Sequence, residues 1–261
     1  MTVETPASAG ADAVPASGLY CYGVTWAHAA SPEREPGVHG EPVEAIRDAE
    51  LAALTSRIGS AKVRAKRRDV LSHSEVLAAA LERGTVLPLR FGVVFEDEAA
   101  LIDDFLRPRH DQLVALLGRF EGQVELTVKA FYEEPVILAE IVEDNPRIAR
   151  LREETRQGRD SYQLRLELGE RVARELQERI ERDRNAFLDR LRPLALDVEV
   201  DQEPIEHQVL RASFLVERRR VSAFDEAMDE LARAHAGRVR FKYVGPLAPH
   251  SFVSVTPVRS N

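Results

Sequence analysis

Between Ser161 and Leu191 apolar residues fall at Leu168, Val172, Leu176, Ile180, Phe187 and Leu191, the spacing of one face of an α-helix, and no proline interrupts them. Pro193 ends the pattern. At a rise of 1.5 Å per residue this helix is about 45 Å long. One small sheet cannot cover such a length, so part of the helix is expected to bridge two domains. The pairs Glu170–Arg174, Glu175–Arg179 and Glu178–Arg182 sit four residues apart on its wet side. Each adds only about 0.2–0.5 kcal/mol.

Alternating segments lie on both sides of this stripe. LYCYGVTW reads as a strand with Tyr20, Tyr22, Val24 and Trp26 on one face. The stretch from Val43 to Ile58 fits a helix by propensity and a strand by its bounds, and periodicity does not decide. Ser72 with Glu75 makes a capping box for a helix that ends at Gly84. Leu87, Leu89, Phe91, Val93 and Phe95 then alternate along one strand, and Pro88, lacking a backbone donor, places that strand at a sheet edge. Asp97 caps a helix through Leu101 and Phe105; Pro108 breaks it before a second carrying Leu113, Leu116, Leu117 and Phe120. QVELTVKAF is expected to close this first unit as a further strand.

Helices are expected over 135–144 and 146–157, then the long helix. Beyond Pro193 the sequence predicts strands over 194–200 and 210–216. A helix follows, capped by Ser222 with Asp225 and stopped at Gly237, and Val239, Phe241 and Tyr243 mark a last strand. The fold class is therefore α+β: two modified ferredoxin-like domains joined by a helical region with one long helix over 161–191. Residues 1–17, mostly Ala, Ser, Pro and Gly with little to bury, read as a disordered tail. The N-terminal domain covers 18–133. The C-terminal domain covers 134–261 and ends in a Pro-rich tail.

The net charge of −8 argues against a nucleic-acid binder, whose domain is usually basic. Cys21 is the only cysteine, which excludes an intrachain disulfide and points to a reducing, cytoplasmic setting. The first residues lack the basic start and apolar run of a signal peptide, and no stretch approaches the ~18 apolar residues of a spanning helix. The chain reads as soluble. His73, His110, His207, His235 and His250 show no metal-ligand spacing, and phosphate-loop and nucleophile-elbow motifs are absent. No catalytic residue, metal or cofactor is expected. The basic run KVRAKRR reads as a solvated loop in preference to a docking patch.

Two features resist this bland account. Arg90 sits between Leu89 and Phe91 inside an apolar strand, and an arginine there needs either a carboxylate or water. It tethers a neighbouring element or grips a partner's carboxylate; the first reading is preferred. In RVRFKYVG the bases Arg238, Arg240 and Lys242 alternate with Val239, Phe241 and Tyr243. An RNA platform needs its aromatics on the open face beside the bases, whereas here they share a face with Val239, as in a core-facing strand.

VLPLRFGVVFEDEAAL, followed by VELTVKAFYEE and by ASFLVERRRVSAFDEAMDELARAHAGRVRFKYVGPLAPHSFV, resembles the GvpF/GvpL family of gas vesicle accessory proteins. LYCYGVTWA and SYQLRLELGERV fit in the expected order, so the resemblance runs from residue 18 to about 255. It departs at His250, where members more usually carry Tyr. The resemblance implies two α+β domains, a part in gas vesicle formation without catalysis, and contact with the small GvpA-type shell protein and other accessory proteins.

A gas vesicle wall excludes liquid water, so its subunit needs an apolar surface that would aggregate if left bare. The expected role is to cover that surface at the vesicle or in the cytoplasm. Attachment is expected through a free sheet edge or through an inter-domain groove that receives a helix. The candidate contact residues are Leu89, Arg90 and Phe91 on the edge strand, and Gly245, Pro246, Pro249 and Phe252 in the tail. For the tail, pinning against the body is preferred over docking. A regulatory or RNA-binding protein on ferredoxin-like units is the alternative.

Overall fold

The computed structural model describes residues 17–30, 36–59, 65–157, 162–201 and 207–253. The expected N-terminal tail, apart from residue 17, and most of the basic run before Lys66 lie outside these residues. The described residues divide into two compact units, those up to 121 and those from 122 onward.

In the first unit β1 (Gly18–Trp26) is the central strand, and its residues from Gly18 to Thr25 are buried. The ambiguous stretch resolves into a hairpin: β2 (Glu44–Asp48) and β3 (Leu51–Ile58) turn at Ala49, whose φ is 51°. Helix α1 (Arg67–Arg83) buries Val76, Leu77, Ala80 and Leu81. It starts five residues before Ser72, which therefore sits inside the helix and caps nothing; the N-cap residue, Lys66, makes no side-chain capping bond. β4 (Val86–Pro88) and β5 (Val94–Phe95) both pair antiparallel with β1, giving the order β2-β3-β1-β4 with β5 beside β1. Asp97 does cap the next helical turn, accepting from the Ala100 amide at 2.8 Å. A π-helical segment, Ala100–Leu106, leads through Pro108 into α2 (His110–Arg119), and together they bury Leu101, Phe105, Leu113 and Leu117.

The strand expected to close this unit belongs to the other one. β6 (Gln123–Tyr132) pairs with β8 (Gln208–Glu217) on one side and β9 (Val239–Leu247) on the other, and β7 (Asp197–Val200) pairs with β8. The second unit accordingly begins at 122, not 134. β6 buries Val124, Leu126, Val128, Ala130 and Tyr132 on one face, with Glu125 the one buried residue of the other, and that pattern specifies a half-covered strand without naming its partners. Its neighbours Phe214 and Leu210 are separated from it by some eighty residues of chain, a pairing no local signal encodes.

Helices α3 (Glu134–Asp144), α4 (Pro146–Arg156) and α5 (Tyr162–Leu191) all lie within the β6-to-β7 crossover, and α6 (Val221–Ala234) lies between β8 and β9. The long helix packs against α3, α4, α6 and β8, all members of its own unit. It is therefore a crossover element, where a bridge between units was expected; α3 and α4 cover part of its length. Asn145 caps α4, accepting from the Arg147 and Ile148 amides. α6 starts at Val221, so Ser222 does not cap it. The helices cover one face of the sheet, where Phe187, Phe214, Phe224 and Leu191 form the core. Numbered by appearance, both sheets share one order, second-third-first-fourth.

Candidate functional site

The predicted strand Leu87–Phe95 is broken in its middle. The Leu89 amide donates to the Tyr22 carbonyl at 2.8 Å and the Cys21 amide to the Val93 carbonyl at 3.0 Å, so both ends are tied to β1. Between them the Val93 amide reaches back to the Arg90 carbonyl at 3.4 Å, and Gly92, third in this turn, has φ 92°, the mark of a type II turn. The Gly92 amide also donates to the Tyr20 hydroxyl at 3.2 Å. An Arg-Phe-Gly turn signal was present in the sequence, but alternation on both sides of it masked the break.

The turn divides the edge into a closed and an open part. Val86, Leu87, Pro88 and Leu89 are all buried, so Leu89 anchors the strand and is not available to a partner. Arg90 is exposed and has no ion-pair partner among the described residues. The tethering role preferred from sequence is thus not what its side chain does; it takes the wet face. Phe91 is half-buried, its ring 5.9 Å from that of Tyr20 and 5.7 Å from that of His73. Tyr20 in turn hydrogen-bonds His73 Nδ1 at 2.8 Å, so a buried polar cluster holds the turn from beneath.

Val93, Val94 and Phe95 are only partly covered. Because Val93 and Phe95 face β1, alternation aims the Val94 N–H and C=O outward, and among the described residues no strand takes them up.

The C-terminal candidates are held differently. β9 continues through a cis Gly245–Pro246 bond to Leu247. Gly245 has φ 153° and lies so close to β6 that a Cβ there would come within 2.5 Å of Leu126. Gly245 and Pro246 are exposed, Phe252 is half-buried and Pro249 is buried beside Ala248. The Ser251 amide and hydroxyl both donate to the buried Glu125 carboxylate, at 2.8 and 2.7 Å. These contacts are those of a pinned segment.

Arg238 reaches Glu140 and Asp183, and Tyr132 donates to Asp183 at 2.6 Å; burial and that carboxylate push the Tyr132 phenol well above its usual range. Val239 packs in the core with Phe241 and Tyr243 against it, as their alternation required. One aromatic escaped the sequence reading: Phe131 lies on the uncovered face of the second sheet, with Arg240 and Lys242 over its ring at 5.3 and 5.7 Å. Its alternation with Lys129 and Thr127 was the available signal. Among the described residues no three His, Cys, Asp or Glu side chains converge on a metal-sized site, and no helix is long and apolar enough to cross a membrane.

The family profile described as gas vesicle synthesis protein GvpL/GvpF matches residues 18–254. The chain belongs to this family. Gas vesicle protein F of Streptomyces sp. (strain CB03234) is 36% identical over 238 residues, covering 90% of this chain and 98% of that protein. Gas vesicle protein L of the same strain is 30% identical, over 86% and 88%. The crystal structure of GvpF from Anabaena sp. PCC7120 superposes with a TM-score of 0.77 at 26% identity, covering 92% of this chain and 99% of that one. The family assignment makes this a gas vesicle accessory protein of mixed helix and sheet with two antiparallel sheets.

Proposed function

We propose that this chain is a non-catalytic assembly factor that binds the small GvpA-type wall protein, covers its apolar surface before assembly and delivers it to the growing vesicle, acting in the cytoplasm or at the vesicle itself. Membership of the gas vesicle family supports the setting. The carrying observation is the open part of the first sheet's edge: an exposed, unpaired Arg90 next to outward backbone groups at Val94. An incoming strand pairs with those groups, and Arg90 takes a carboxylate on it. Phe91 holds the turn in place and presents part of its ring. The tail, in this reading, stiffens the second unit and is not the docking peptide. The shared strand order supports reading both units as modified ferredoxin-like, the first with its opening helix replaced by a loop.

The test is capture of purified wall protein by the full chain, compared with Arg90→Ala and Phe91→Ala variants whose melting curves show them folded. Loss of capture supports the edge; undiminished capture by both removes it. An RNA-binding role finds little support, because the half-buried Phe131, whose neighbour Arg240 is paired to Glu133 at 3.3 Å, falls short of the two or three stacking rings such a platform uses.

A further inference from the structure

A cleft of about 370 Å³ opens between α3, α4 and α5 on the second unit, lined by Leu138, Val142, Ile148, Leu168 and Val172 with Arg152 at its rim. The apolar stripe of α5 is finished at one end only: Phe187, Leu188 and Leu191 are buried, while Leu168 and Val172, further along the same stripe, stay half-exposed. α3 repeats this, with Ile137 and Ile141 buried and Leu138 and Val142 partly open. We infer that this cleft is a docking site for an amphipathic helix with acidic flanks, distinct from the β5 edge.

The shape selects a helix. Leu138/Val142 and Leu168/Val172 are i, i+4 ridges on neighbouring helices, and the hollow between two such ridges accepts the ridge of another helix. A fourth helix there would complete a bundle around side chains the three present ones leave half-covered. An extended strand would find no free edge among helices and would carry unpaired N–H groups into an apolar hollow.

The charge selects the flanks. Four arginines and two glutamates lie on α4. Arg147 is taken by Glu167 at 3.1 Å and Arg156 leans on Glu153 at 3.8 Å, whereas Arg152 is exposed and has no ion-pair partner among the described residues. On a chain of net charge −8, Arg152 sets an unpaired positive charge at the edge of the cleft. A second copy of the chain is a poor occupant, since a two-fold contact centred on the cleft would set hollow against hollow and bring Arg152 near its own equivalent.

Two synthetic helical peptides test this by fluorescence anisotropy against the full chain. Both carry leucines at i, i+3, i+4 and i+7; one has glutamates beside the stripe and its twin has lysines. The glutamate peptide is expected to bind about tenfold tighter than the twin, and Arg152→Glu to reverse that preference. Val142→Glu should abolish binding of both while the melting curve still shows a folded chain. Should Val142→Glu prove unfolded, the exposed Arg152→Glu decides alone. Equal binding of the two peptides, or binding of neither, overturns the inference. So does a dimer in sedimentation that Arg152→Glu or Val142→Glu alters, which would make the cleft a self-contact.

Discussion

The buried carboxylate of Glu125, on the first strand of the second sheet, is satisfied by Ser251 from the far end of the chain, through both its amide and its hydroxyl. A carboxylate so buried is costly unless it is hydrogen-bonded, so the strand and the tail depend on each other. Ser251→Ala removes the hydroxyl donor and is expected to destabilise the fold by about 1–2 kcal/mol, the cost of a lost bond to a charged, desolvated group. Truncation before Gly245 removes both donors and uncovers the sites of Ala248 and Val253, and is expected to lower the melting temperature by more. Chemical denaturation of the variants checks the order. If the truncated chain melted with the full-length protein yet failed to bind, the tail would be the docking peptide after all.

At the first sheet's edge backbone and side chain can be tested apart. Val94→Pro deletes the outward N–H without touching the bonds to β1, because Val93 and Phe95 supply those. The fold should survive, while capture of wall protein weakens about tenfold if the edge is extended by an incoming strand. Unaltered capture would leave Arg90 as the only contact of the pair.

Gly92 offers a control on the same turn. Nothing lies within 4 Å of where its Cβ would stand, so Gly92→Ala meets no clash, only the penalty of φ 92°. That costs about 1–2 kcal/mol. Gly245→Ala combines a similar strain with collision against Leu126 and should cost more. Equilibrium unfolding of the two variants separates turn strain from close approach.

What the sequence made legible follows the range of each interaction. The long helix was read within one residue of its start, because its stripe and Pro193 are local signals. The faces of β6 and β9 were equally plain from alternation. Partnership of strands was not: β6 has the same pattern whichever sheet it joins, and its pairing with β8 is fixed by core packing far along the chain. The same holds at the candidate site. Arg90 was visible as an anomaly in an apolar run, but the turn that exposes it depends on Gly92 meeting the Tyr20 hydroxyl, and the burial of Leu89 depends on β1.

Cys21 is fully buried on the central strand, and loss of hydration pushes its thiol up to about 12. The thiolate is the reactive form, so the native chain should resist iodoacetamide at neutral pH. Labelling is expected only through unfolding, so its rate in dilute denaturant should follow the stability of the first unit. Fast labelling of the native chain would mean that β1 is open to solvent.

His110 supplies the pH-dependent contact. Its ring lies 3.0 Å from Asp111 and 3.1 Å from Glu50, and these carboxylates raise its affinity for a proton, Asp111 contributing most and Glu50 next. A group that binds its proton more tightly when folded stabilises the fold at pH below its unfolded value, near 6.5. That contribution disappears as pH rises through the higher folded value. The link between the β2–β3 turn and the start of α2 is therefore expected to hold in mild acid and to weaken above neutrality. NMR titration should place the His110 midpoint above that of a free histidine, and Glu50→Gln should move it down part of the way, leaving the share due to Asp111. A midpoint unchanged by Glu50→Gln would show that the turn and the helix do not meet through this pair.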